Sequence, residues 1–124
     1  MDIYQEHIMD HYANPRNTGS IKNPDVYSKE HNPLCGDVIT IYGKIDSGKL
    51  TEIKFESKGC AISCASTSIL IENSIGKTVK ELMKVTATDI YSMLNIPISP
   101  ARTKCAVLGL KTLQKAISSE VKNA

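Results

Sequence analysis

Residues 38–57 constrain the fold more than any other stretch of this chain. Ile39, Ile41 and Ile45 alternate with Val38, Thr40, Tyr42 and Lys44. Further on, Ile53 and Phe55 alternate with Glu52, Lys54 and Glu56. A period of two sends successive side chains to opposite faces, so each run predicts a half-buried strand. Asp46-Ser47-Gly48-Lys49 between them carries a turn signal, and the two runs together predict an antiparallel hairpin over 38–45 and 50–57. Residues 26–31 supply a third, edge strand.

The flanking segments change period. Tyr4, Ile8, His11 and Tyr12 fall on one helical face, which predicts a helix over 3–12 with Asp2 as N-cap and Asn14-Pro15 as its stop. Residues 14–25 hold two Asn-Pro pairs and a glycine and read as an extended surface loop. After Gly59, Ala61, Ile62, Ala65, Ile69 and Leu70 predict a helix over 62–74 closed by Gly76. Short helices near 78–84 and 87–94 follow, the second with Thr86 and Asp89 placed as a capping box. Pro97 and Pro100 break the chain. Ala106, Leu110, Leu113, Ile117 and Val121 then form one stripe, predicting a long amphipathic helix over 101–121. Strands first and helices later indicate an α+β fold.

A length of 124 residues suits one domain, 1–124, and buries enough surface to fold without disulfides. With 41% hydrophobic and 23% charged residues, the chain is not disordered by composition. A formal charge of +2, well mixed along the sequence, excludes a dedicated nucleic-acid binder. No apolar run approaches the ~20 residues of a membrane helix. Met1-Asp2-Ile3-Tyr4-Gln5-Glu6 lacks the basic-then-apolar layout of a signal peptide, so a cytoplasmic protein is expected. There is no phosphate-binding glycine motif and no nucleophile elbow. Lys77, Lys80 and Lys84 read as a solvated helix face.

Thiols stay reduced in that compartment, so the four cysteines point to metal or sulfur chemistry, or to packing, before disulfides. Cys35 precedes the first strand of the hairpin, Cys60 follows Gly59 between hairpin and helix, and Cys105 lies in the first turn of the last helix. All three sit where one element hands over to the next, where backbone N–H groups are free and side chains converge. Thiolates at helix starts are favoured by the dipole, and Lys104 adds to this at Cys105. Asp37, two residues after Cys35, points the same way in extended chain and offers an oxygen. Gly36 and Gly59 allow close approach or positive φ. A single cysteine is more often a small buried hydrophobe than a ligand, and Cys-x-x-Cys spacing is absent. Cys64, within a helix of small and apolar residues, reads as packing. His7 and His11 form an i, i+4 pair that straddles the edge of an amphipathic face, and His31 precedes the first cysteine loop. None of the three reads as a ligand.

Asn32-Pro33-Leu34-Cys35-Gly36-Asp37, then Gly59-Cys60-Ala61-Ile62-Ser63-Cys64-Ala65-Ser66, then Lys104-Cys105 opening a long helix, resemble the U-type iron–sulfur cluster assembly scaffolds (IscU and the N-terminal domain of NifU). The opening helix and Tyr12-Ala13-Asn14-Pro15-Arg16-Asn17 are similar to that family too, and the resemblance covers nearly the whole chain. It implies an α+β fold with a three-stranded antiparallel sheet and helices packed on it. It implies a scaffold and carrier, not a turnover enzyme. Such a protein accepts sulfur from a cysteine desulfurase, takes iron, assembles a [2Fe–2S] cluster and passes it to recipient apo iron–sulfur proteins. By the same resemblance the ligands are Cys35, Asp37, Cys60 and Cys105, with Cys105 the favoured persulfide acceptor, Cys35 and Cys60 alternatives, and zinc a common occupant of the isolated protein. The family reading leaves room for a homodimer sharing one cluster. Lys104 stands where IscU proteins carry histidine and is similar to the SufU branch, whose members activate a desulfurase as zinc-dependent sulfur acceptors. The stretch from 65 to 104 is too short for the SufU insertion. Ile98-Ser99-Pro100-Ala101-Arg102 replaces the chaperone-binding stretch of the family.

Overall fold

The computed structural model describes residues 3–32, 36–95 and 98–122. Asp2, Cys35 and Pro97, and the side chains of Tyr4 and Val121, lie outside the described part. Three strands, β1 (Val26–Asn32), β2 (Asp37–Asp46) and β3 (Lys49–Lys58), form one antiparallel sheet in the order β1-β2-β3. The hairpin turns where expected. Ser47 (φ 53°) and Gly48 (φ 79°) both adopt left-handed backbone, whose twist matches that of the flanking strands. A bulge between Lys44 and Ile45 resets the register, so Ile41 faces Phe55 while Ile45 faces Leu50. Ile39, Ile41, Leu50, Ile53 and Phe55 are fully buried on one face of the sheet. The third strand runs one residue beyond the expected 26–31 and closes on Asn32 opposite Asp37.

The segment read as a surface loop does more than wrap. Phe55 N–H donates to the Asn17 carbonyl and Gly19 N–H to the Phe55 carbonyl, both at 2.9 Å. These bonds cover part of the outer edge of β3, which a bare edge strand would offer to another chain. Periodicity carried no sign of them, because the segment is too short and polar to show a strand pattern.

Five helices complete the described chain: α1 (Ile3–Ala13), α2 (Ala61–Ser74), α3 (Val79–Met83), α4 (Ala87–Leu94) and α5 (Thr103–Lys122). α5 packs on β1 and β2, α2 packs on β3 and α5, and α1 rests on α2. Ala106, Leu110, Leu113 and Ile117 are buried, as the stripe requires. Pro100–Arg102 form a 3₁₀ turn ahead of α5, so the helix starts at Thr103, two residues later than expected. The α2–α5 contact is close because Gly109 has no side chain. A Cβ there would lie 2.3 Å from Thr67 Oγ1. The buried hydroxyls of Thr67 and Ser74 donate to the Ser63 and Leu70 carbonyls at 2.7 and 2.6 Å, so α2 is buried without leaving those polar groups unpaired. The Thr86–Asp89 capping box is present, and a second joins Thr78 and Glu81.

α1 corrects one expectation. Ile8 and His11 are buried, but Tyr12 is 45% exposed. The buried face centres on His11, whose Nδ1 lies 2.7 Å from Ser68 Oγ, and this turns Tyr12 outward. None of the described helices is long and apolar enough to cross a membrane.

Candidate metal centre

The start of β2, the end of β3, the start of α2 and the start of α5 meet at one end of the sheet. Asp37 is the first residue of β2, and its neighbour Val38 pairs with Lys58 at the end of β3. Gly59 then turns the chain with φ 130°, a conformation that favours glycine. A Cβ at Gly59 would lie 2.2 Å from Asp37 Oδ1 and 2.9 Å from Asp37 Cα. The glycine is therefore required twice, by its backbone angle and by the carboxylate it lies against.

Cys60 is the N-cap of α2, with extended backbone and no side-chain capping bond, so its thiol is not used to close the helix. Its N–H donates to Asp37 Oδ1 at 2.7 Å. Ser63, one turn along, is buried and donates its hydroxyl towards Asp37 Oδ2 at 2.8 Å, with the Cys105 carbonyl at 3.1 Å. Cys105, the third residue of α5, is fully buried. Arg102 in the 3₁₀ turn donates from Nη1 to Cys60 Sγ at 2.8 Å. One ligand atom each from Asp37, Cys60 and Cys105 lies within 4.8 Å of the others, a spacing that one metal ion or one small inorganic core spans.

Asp37 is itself buried. Burial alone would raise its pKa. The Cys60 N–H, the Cys105 thiol, the Ser63 hydroxyl and the Arg102 charge outweigh that, and the carboxyl is held below its ordinary value of 3.8. It is therefore ionised near neutrality and available as an oxygen donor beside two sulfurs. Soft thiolates suit iron and sulfide or zinc, and a hard carboxylate is the weaker member of such a set.

Three of the four ligands expected from the sequence, Asp37, Cys60 and Cys105, are brought together. Cys35 lies outside the described residues, two positions before Asp37 in the chain. The described ends of its loop are joined by a bond from Gly36 N–H to the Asn32 carbonyl at 2.8 Å. Cys64 is half-buried and packs against the hydrophobic core, in line with the packing reading. Among the described residues, His7, His11 and His31 belong to no such donor group. His11 is engaged with Ser68, and its ring stacks edge-on with that of His7, centroids 4.6 Å apart. Lys104 is exposed. Ser63 and Arg102 escaped the reading of the sequence as members of the site. Ser63 had one available signal, its place three residues after a cysteine that opens a helix. Arg102 had only its position three residues before Cys105.

A carboxylate flanked by two thiols, where one end of the sheet meets two helix starts, is a candidate metal centre with mixed oxygen and sulfur donors. The chain belongs to the NifU-like N terminal domain family, whose model matches residues 3–123. It is 35% identical over 115 residues to the iron–sulfur cluster assembly scaffold protein IscU 1 of Archaeoglobus fulgidus, covering 93% of this chain and 74% of that protein. It is 33% identical over 135 aligned positions to the zinc-dependent sulfurtransferase SufU of Bacillus subtilis, covering 95% of this chain and 91% of SufU. The alignment is longer than the part of this chain that it covers, so SufU carries residues with no counterpart here. Among solved structures, the N-terminal part of a NifU-like protein from Brucella abortus superposes with a TM-score of 0.80 at 26% identity, covering 98% of this chain and 96% of that one.

Proposed function

We propose that this protein, acting as one domain, is a scaffold on which a [2Fe–2S] cluster is built from iron and desulfurase-derived sulfur and then handed to apo-proteins. The observation that carries this reading is the convergence of Asp37, Cys60 and Cys105 from three separate elements within 4.8 Å, in a chain of this family. Cys35, two residues from Asp37, supplies the third thiolate. The cluster is cargo, so the donor set has to release it, and a carboxylate beside three thiolates suits release better than four thiolates.

Sulfur arrives by thiol exchange. A cysteine thiolate attacks the outer sulfur of the donor's persulfide, forming a new S–S bond while the donor leaves as a thiolate, with no net redox change. Of the two described site cysteines, Cys60 is partly exposed and Cys105 is buried, so of these two an incoming persulfide meets Cys60 first. Cys105 accepts sulfur once the first turn of α5 yields. This chemistry needs reduced thiols, which supports a reducing compartment such as the cytoplasm.

The test is anaerobic reconstitution with metal and acid-labile sulfide analysis on the wild type and on Cys→Ser variants at 35, 60, 64 and 105. The expected result is a visible [2Fe–2S] spectrum that is lost at 35, 60 and 105 and kept at 64. Retention of the cluster in both Cys60→Ser and Cys105→Ser would overturn the assignment. Lys104, in the SufU-like position, favours a second reading in which the site holds zinc and only relays sulfur. Zinc alone in the reconstituted protein, with sulfur transfer intact, would establish that reading instead.

A further inference from the structure

Ser63 reaches two of the three described ligands, Asp37 and Cys105, from a third element. It stands on α2, is almost wholly buried, and has one hydroxyl hydrogen for two acceptors. Asp37 Oδ2 lies 2.8 Å away, at the head of β2, and the Cys105 carbonyl lies 3.1 Å away, in the first turn of α5. Cys60 N–H already holds the other carboxylate oxygen, Oδ1, at 2.7 Å. Each carboxylate oxygen thus carries a bond that fixes its direction. A carboxylate has roughly four acceptor positions, so these two bonds and the Cys105 thiol leave room for a metal.

We propose that Ser63 is a positioning residue for the metal centre. Its bond to Oδ2 orients the Asp37 carboxylate, which keeps a free acceptor position for the metal, and the Cys105 carbonyl is the second acceptor within reach of the same hydroxyl. Hydrogen bonds behind metal ligands set ligand direction, and their loss typically weakens binding by about 10- to 100-fold. The proposal rests on the reading of Asp37, Cys60 and Cys105 as metal donors.

The experiment is zinc affinity, measured by competition with a chromophoric chelator. It uses wild type, Ser63→Ala, Ser63→Thr, Asp37→Ala, the Asp37→Ala/Ser63→Ala double variant, Cys60→Ser and Cys105→Ser. Ser63→Ala is expected to bind zinc about 10-fold more weakly, and Ser63→Thr, which keeps the hydroxyl, to restore most of the loss. In the Asp37→Ala background the serine change is expected to have no further effect, because the group it orients is gone. Wild-type affinity in Ser63→Ala would overturn the proposal. So would a loss of equal size in both backgrounds, which would show that the residue acts through the fold. If Cys60→Ser and Cys105→Ser bind zinc as the wild type does, the donor reading itself fails and the Ser63 proposal falls with it. Where the single variant unfolds, the double variant and Ser63→Thr still decide between these outcomes.

Discussion

Gly59→Ala separates backbone strain from crowding at the site. At φ 130° an L-residue carries strain of roughly 1–3 kcal/mol. The new Cβ would also lie 2.2 Å from Asp37 Oδ1 and 2.9 Å from Asp37 Cα. The carboxylate can swing away only by giving up the bond from Cys60 N–H, and a bond to a charged group is worth about 1.5–3 kcal/mol. The Cα belongs to the backbone and has little freedom to give. Together these predict a loss of about 2.5–6 kcal/mol, a large share of the stability of an ordinary domain. Gly76→Ala is the matched control. Its φ is 88°, and a Cβ added there would meet nothing within 4 Å, so strain of about 1–2 kcal/mol is its whole cost. Urea unfolding of the two variants, compared at unchanged slope, measures the difference. A gap of about 1.5–3 kcal/mol, the bond given up to crowding, is expected, with zinc binding weakened in Gly59→Ala alone. Equal destabilisation by the two substitutions would refute the crowding argument.

Other perturbations follow from the same geometry. Asp37→Ala is expected to lengthen the life of a reconstituted cluster against a chelator, since it removes the hard donor; faster loss than wild type would show that Asp37 holds the cluster instead of loosening it. Gly109→Ala pushes a methyl to 2.3 Å from Thr67 Oγ1, and despite better helix propensity it should cost about 1–2 kcal/mol. Adding Thr67→Ala should recover part of that loss, and strict additivity in thermal unfolding would disprove the contact. His11 is held below its ordinary pKa of 6.5, first by burial and then by Arg16 and His7, against the opposing pull of Glu72 and Asp10. Below pH 6.5 the unfolded chain therefore binds a proton that the folded chain does not, and stability falls with pH by at most about 1.4 kcal/mol per unit. His11→Gln should flatten that slope in denaturation measured between about pH 7 and about pH 5; an unchanged slope would assign it to other groups.

The hairpin was legible because alternation at Ile39, Ile41, Ile53 and Phe55 and the turn at Ser47-Gly48 are written in adjacent residues. The buried stripe of α5 and the Thr86 cap were legible for the same reason. Tyr12 was misplaced because a helical face is only a range of angles. The hydroxyl of Ser68, 57 positions away, chose His11 as the centre of that face. The pairing of Asn17 and Gly19 with Phe55 left no periodic trace at all.

The site divides along the same line. Sequence alone put Cys60 between hairpin and helix and Cys105 in the first turn of the last helix, put Asp37 just ahead of a strand, and marked Gly59 as a place of close approach. Each of these is a local statement about where a backbone changes direction. That the three ligand atoms lie within 4.8 Å was decided by the antiparallel register of β2 and β3 and by the packing of α2 against α5. The depth of Asp37, the clasp of Ser63 across two elements and the reach of Arg102 to Cys60 were decided there too. Residues far apart along the chain have no common period to betray them, and only the burial of a shared apolar core brings them to one point.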